Sequence, residues 1–217
     1  MTEDLNETLG RMGNSIMSLI GTSRNLGSDY QKLIERLTRM PGGKPFAKEG
    51  KEPMQIRDRM TAVVRTKDGK IKLDENGQPM VRDTGWSLNG LTNTGFAEIT
   101  ALMLTDVGGT AFDYIGIGTG VTAFDPAQTD LITPVKRKAG TGTQETTAVA
   151  DDTAQIVVTF AAADTLSGTQ AITESGVMNA AAAGTMLCRQ KFDPLNINWD
   201  AGDTLQVTWK VQAKQGA

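Results

Sequence analysis

Apolar residues follow two different rhythms along this chain. Over the first forty positions Leu5, Leu9, Met12, Ile16, Leu19, Leu26, Tyr30, Leu33, Leu37 and Met40 recur at alternating intervals of four and three, and Ser23 fills the one missing seat. That spacing is a heptad seam and predicts helix. Working against it are Gly10, Gly13, Gly21 and Gly27, each costing about 1 kcal/mol relative to alanine in a helix interior. The positions flanking the seam carry Thr, Ser, Asn and Gly rather than paired charges. The pattern therefore predicts two amphipathic helices, over 2–20 and 28–39, broken at Gly21-Thr22-Ser23, with Thr22 or Ser23 capping the second. Helices this rich in glycine need an outside surface to hold them. Leu5, Leu9, Met12, Ile16, Leu19, Leu26, Tyr30, Leu33 and Leu37 are accordingly the candidate interface residues of an oligomerisation or docking segment, 1–43. A helical hairpin packed on the chain's own body is the plainer alternative.

Pro41-Gly42-Gly43 stops the second helix, and 44–60 is charged and without period, as an extended arm or linker would be. The rhythm then shortens to two. AVVRT and KIKL flank Lys67-Asp68-Gly69, a hairpin signal, and Glu75-Asn76-Gly77 turns the chain into a strand near 80–82. Asn93 or Thr94 can cap a helix over 95–105, whose Phe96, Ile99, Ala101, Leu102 and Met103 predict that it packs on a sheet. FDYIGIGTG, 112–120, reads as a buried strand running into a tight turn. Further strands are predicted at 131–138, 143–148, 154–160, 171–178, 186–192 and 204–213, with a loop at 140–142. In the last strand Leu205, Val207, Trp209 and Val211 alternate with polar residues, so one face is buried and the other wet. The expected fold is mainly β: an antiparallel β-sandwich or barrel-like body over 61–217 with one packed helix, preceded by the N-terminal helical segment and the arm.

Composition supports a real core, since 39% of the 217 residues are hydrophobic. A net charge of -3 offers no field to gather nucleic acid or an anionic membrane, and the triplet Lys136-Arg137-Lys138 is too short to alter that. Histidine is absent and Cys188 is the single cysteine. That removes Ser-His and Cys-His nucleophile pairs, thiolate zinc clusters and any intrachain disulfide, so neither enzyme activity nor a cofactor is expected. MTEDLNETLG lacks the basic start and apolar run of a signal peptide. No stretch reaches the roughly 18 to 20 apolar residues that span a bilayer, so a soluble chain made in a cytoplasm is expected.

A few residues invite chemistry. Gly116, Gly118 and Gly120 suggest a phosphate loop, yet Val121-Thr122-Ala123-Phe124-Asp125-Pro126 follows where a dinucleotide fingerprint needs a helix, which favours a structural turn. Asp151-Asp152, Asp125 with Asp130, and Asp200 with Asp203 could lend oxygens to calcium, but none has EF-hand spacing. Glu174, in the middle of an apolar strand, must face solvent or find a donor. Trp199 and Trp209 read as core or interface anchors before sugar platforms.

The succession FDYIGIGTGVTAFDPAQTDL, IVVTF, ITESGVMNAAAAGTMLCRQKFDPLNI and DAGDTLQVTWKV, with LTNTGFAEITALML before it, resembles a β domain found in structural proteins of tailed bacteriophages. Proteins of that kind are head decoration proteins, head or tail fibres, or other virion structural proteins. The resemblance covers about 88–213 and implies a non-enzymatic virion protein. A capsid decoration or cement protein bracing the head shell is the leading expectation, with phage capsid or tail proteins as partners and no nucleic acid or membrane. The glycine-rich helices and the arm, which bury their surfaces only against other subunits, lead to the expectation of a homo-oligomer, and a trimer would suit both the heptads and the three-fold sites of a shell. The alternatives are a tail or neck fibre component with an N-terminal trimeric coiled coil, and a carbohydrate-binding module using the loops near Trp199.

Overall fold

In the computed structural model, which describes residues 54–88 and 90–214, the period of two becomes two antiparallel sheets packed face to face. The first has the order β2 (Val81–Asp83), β1 (Gln55–Arg65), β9 (Thr204–Lys214), β6 (Thr153–Phe160), β5 (Thr141–Glu145). The second has the order β4 (Pro134–Ala139), β3 (Tyr114–Gly118), β7 (Thr169–Met178), β8 (Met186–Asn198). A helix, α1 (Asn93–Leu102), lies against β8. The body is thus the mainly β sandwich with one packed helix that the pattern predicts.

Alternating side chains from the two sheets meet in one core. Met60, Ala62 and Val64 of β1, Val158 and Phe160 of β6 and Leu205, Val207 and Trp209 of β9 face Ile115 and Ile117 of β3, Ile172 and Val177 of β7 and Leu195 and Ile197 of β8. Each such aliphatic side chain contributes about 1.5–3 kcal/mol on leaving water. The polar ends of the buried aromatics are satisfied inside. Trp209 Nε1 donates across the core to Ser175 Oγ at 3.0 Å, which donates to Gly116 O at 2.8 Å, and Trp199 Nε1 donates to Gln170 Oε1 at 2.9 Å. Both tryptophans have no exposed surface, so they are core anchors.

The body begins earlier than 61. β1 starts at Gln55 and pairs with β9 along its whole length, from Gln55 opposite Lys214 to Arg65 opposite Thr204. It lies between β2 and β9, not at a margin. The last residues of the expected arm are therefore strand. Ile56, Asp58, Met60, Ala62 and Val64 form its inward row, and Asp58, a carboxylate in the second seat, conceals the alternation. Residues 1–53, with the expected helices over 2–20 and 28–39 and most of the arm, lie outside the described residues.

Chain passing from one sheet to the other joins them along both sides. On one side β4 runs through Gly140 straight into β5, where a loop over 140–142 was expected. A Cβ at Gly140 would come within 2.5 Å of Ile156 Cγ1, so the bend needs glycine. On the other side Ser87 bridges to Asp58 of β1, and Leu91 bridges to Cys188 of β8.

The helix is held differently from expectation. Thr92, one residue before Asn93, is the cap: its Oγ1 accepts from Gly95 N at 2.9 Å and donates to Met186 O, while its own amide donates to Leu187 O at 2.9 Å. Gly95 is the buried residue of α1, and a Cβ there would lie 2.5 Å from Leu187 O. Ile99 packs against the core, but Phe96, Leu102 and Met103 are exposed. A cap and one close backbone approach hold α1, and its apolar face stays largely uncovered.

Candidate functional site

Glu174 finds its donors inside the protein. Oε1 accepts from Gly120 N at 3.0 Å and Thr133 N at 2.8 Å; Oε2 accepts from Ile132 N at 3.1 Å and Arg189 Nε at 2.7 Å. Arg189, equally buried, extends Nη2 to Thr122 O at 3.0 Å and Nη1 to Gln128 Oε1 at 3.2 Å. The pair thereby fastens the 119–133 loop to β7 and β8. Burial alone would raise the carboxyl's pKa; the Thr133 amide, then Arg189, then the Ile132 and Gly120 amides outweigh it and hold the group below its ordinary range.

This carboxylate also accounts for the last two glycines of FDYIGIGTG, while Gly116 makes room for Leu131. A Cβ on Gly118 would overlap Glu174 Oε1 and lie 2.5 Å from Thr133 O; one on Gly120 would lie 2.5 Å from the same Oε1. Gly116 and Gly118 are strand residues of β3, and none of the three has a positive φ. The tight turn expected there is therefore a strand that makes room for a buried acid. The Gly120 amide, which a phosphate would need, already serves Glu174.

Asp58 is buried under poorer terms. Gln190 Nε2 donates to Oδ1 at 2.7 Å, while Oδ2 is the one buried side-chain polar atom without a hydrogen-bond partner among the described residues. Burial pushes its pKa up to about 6, against smaller opposing effects of Gln190 and the Gly90 backbone. Beside it Cys188 has no exposed surface, and burial followed by the Asp58 charge pushes the thiol well up, which leaves it inert.

The acidic pairs marked by the sequence serve the fold. Asp152 accepts from the Thr147, Ala148 and Val149 amides and from Thr153 and Gln212; these donors offset burial and hold its carboxyl well below the usual range. Asp130 pairs with Arg137, and Asp203 with Lys72. Asp125 Oδ1 accepts from Ala127 N at 2.8 Å. Among the described residues no three acidic, histidine or cysteine side chains are grouped so as to hold a metal ion. The basic triplet is committed too: Lys136 donates to Thr165, Arg137 to the Ala183 carbonyl, and Lys138 pairs with Asp164.

A cavity of about 730 Å³ opens at one end of the sandwich. Ile56, Ile99, Phe112, Ile156, Val177 and Val211 form its apolar floor and walls, and Leu102 at the end of α1 lies at its margin. From Leu102 the apolar surface continues along the chain as Met103, Leu104 and Val107, all exposed. Among the described residues, the ionisable ones that line it are Asp113, Asp151 and Asp152, and no lysine or arginine does. A concave apolar surface with a one-signed rim is suited to binding a partner. No local pattern announces this cavity, because its walls come from β1, α1, the residues before β3, and β5, β6, β7, β8 and β9. Only the apolar excess of the helix hinted at it. The candidate interface residues Leu5 to Leu37 lie outside the described residues. Comparison of the chain with protein-family models, with curated proteins and with solved structures finds no match.

Proposed function

We propose that this chain is a non-enzymatic structural protein of a tailed-bacteriophage virion, a decoration or cement protein that docks on the head shell as a homo-oligomer. The observation that carries the reading is the apolar cavity with Leu102 at its margin and the exposed Met103, Leu104 and Val107 following in sequence, on a body whose buried acid-base pair is spent on its own scaffolding. A β body with a concave apolar surface has the physical form of a module that acts by contact. The resemblance over 88–213 supports the choice of particle, and the glycine-interrupted heptads of 5–40 support assembly with neighbours.

The test is to locate the full-length protein on gradient-purified particles of the phage that encodes it, by mass spectrometry and immunogold labelling. Label over the head supports decoration. Label confined to the neck or tail favours the fibre alternative, in which the heptads of 5–40 form a trimeric coiled coil. Absence from particles overturns both. The carbohydrate reading loses its aromatic platform, because Trp199 has no accessible surface.

A further inference from the structure

The docking cavity of the proposed function also has a shape that selects a kind of partner. Three consecutive residues of β5, Gly142, Thr143 and Gln144, line it. Successive residues of a strand point to opposite faces, so what these three present in common is their main chain, with Gly142 and Gln144 on the same face as Ile156 and Ala154 opposite them. β5 is the last strand of its sheet, pairing with β6 alone. Its other side carries main-chain donors and acceptors that no strand of the sheet meets.

Across the opening stand Ala111, Phe112 and Asp113. The β3–β4 ladder ends where Tyr114 faces Ala139 and Gly140 N donates to Asp113 O at 2.8 Å. Beyond that bond β5 turns away to join β6, and the continuation of the ladder is left unmade. The cavity therefore has on one side a strand edge that no described strand pairs, and an apolar interior of Ile56, Ile99, Ile156 and Val211. Of its acidic rim Asp152 is occupied by the loop amides, while Asp113 and Asp151 are exposed.

We infer that this cavity receives an extended segment of another protein, which adds a strand to the edge of β5, inserts alternate apolar side chains, and sets lysine or arginine against Asp113 and Asp151. Main-chain hydrogen bonds would supply affinity, and the pocket beneath alternate residues would supply selectivity. The single sign of the rim chooses a basic partner over an acidic one. The inference rests on the cavity of the proposed function but not on the identity of the particle.

The experiment uses the full chain, labelled with ¹⁵N, and two seven-residue capped peptides, one alternating valine with lysine and the other valine with glutamate. The lysine peptide is expected to bind at least about 10-fold tighter at low salt, with the difference shrinking as salt screens the rim. It should shift the amide signals of Gly142, Thr143 and Gln144. N-methylation of the lysine peptide at alternate residues tests the strand pairing: one of the two methylated isomers should lose binding and the other keep it, since an added strand turns only every second amide toward β5. Asp113→Lys with Asp151→Asn, two exposed positions whose replacement leaves the core intact, should bring the lysine-to-glutamate ratio to about one or below. Absence of binding by both peptides at millimolar concentration would overturn the inference, whether or not another occupant already fills the cavity. So would equal affinity for the two peptides, indifference to which amides are methylated, or shifts that bypass β5. Particle labelling and peptide binding can fail separately, which keeps this inference and the virion reading distinguishable.

Discussion

Glu174 and Asp58 are both carboxylates with no accessible surface, set in neighbouring parts of one sandwich, yet their acidities move in opposite directions. Glu174 has three backbone amides and a guanidinium; Asp58 has one side-chain amide on Oδ1, and nothing hydrogen-bonded to Oδ2 among the described residues. Burial raises both, so the donors decide the outcome. The first site is a finished polar anchor that ties a loop to residues about fifty positions away in sequence. The second sits where Ser87 and Leu91 carry the chain from the first sheet to the second, and keeps a charge there at a cost.

The largest test of that contrast is Arg189→Met, which removes the guanidinium but keeps much of its volume. Loss of one partner strands a buried charge, so destabilisation of about 3–5 kcal/mol is expected in urea unfolding followed by tryptophan fluorescence. The loop 119–133 should also lose hydrogen-exchange protection before the rest of the body does. A loss below about 1 kcal/mol would mean that the three amides suffice without the charge.

Asp58→Asn should act in the other direction. With a folded pKa near 6 against an ordinary 3.8, the native state binds the Asp58 proton more tightly than the unfolded chain does. Its contribution is thus fully present below about pH 4 and is lost as pH rises through 6. At about 1.4 kcal/mol per unit, the variant should gain up to about 3 kcal/mol over the parent at pH 8, a difference that vanishes by pH 4. Glu174, with its pKa lowered, has the opposite sign: its stabilisation is present above the ordinary carboxylate pKa and disappears as pH falls through the folded value. The parent should therefore be most stable between about pH 4 and 4.5, where Glu174 is already ionised and Asp58 still holds its proton, and the Asp58→Asn variant should hold its maximum through neutral pH.

A steric version of the comparison comes next in size. Gly90 lies against Asp58, and a Cβ there would overlap the carboxylate and approach Gln190 Nε2 to 2.8 Å. Gly90→Ala is expected to cost about 1–3 kcal/mol by overpacking. It should also abolish the pH dependence assigned to Asp58 by displacing it from Gln190. Should the slope between pH 4 and 6 survive, the slope belongs to another group.

These sites also mark where reading the chain succeeded and where it failed. The strands with regular alternation, such as β9 with Leu205, Val207 and Trp209 inward, were legible because each residue reports its own face. β1 was half legible, since Asp58 interrupts its inward row at the position where the chain spends stability. Glu174 could be marked from sequence as needing a donor, but its donors lie on a loop and on the next strand, and local spacing carries no such information. The same holds for GIGTG. Glycine means a turn or a close approach, and the carboxylate that fills the space beside Gly118 and Gly120 comes from a different strand. The cavity was illegible for the same reason, being assembled from eight separated segments, and the apolar residues of α1 announce a packed helix without saying that Ile99 is covered while Phe96 and Leu102 are not.

Asp83 supplies the missing control, an aspartate with the partner type of Glu174 and none of its burial. Arg59 Nε donates to Asp83 Oδ1 at 2.9 Å and Nη2 to Oδ2, a two-pronged pair with side chains 40% and 37% exposed. Foremost through its hydrogen bond to Arg59, the Asp83 carboxyl is held below its ordinary range. If the guanidinium alone made Glu174 an anchor, Arg59→Met would approach Arg189→Met in cost. Solvent screens this pair and hydrates either partner left behind, so a loss of about 0.2–1 kcal/mol is expected, diminishing as salt is raised. The Arg189→Met loss should hardly respond to salt, because ions do not reach a pair with no exposed surface. Matching salt dependence in the two variants would show that water reaches Glu174, and the contrast between finished and unfinished burial would then have to be sought in geometry other than exposure.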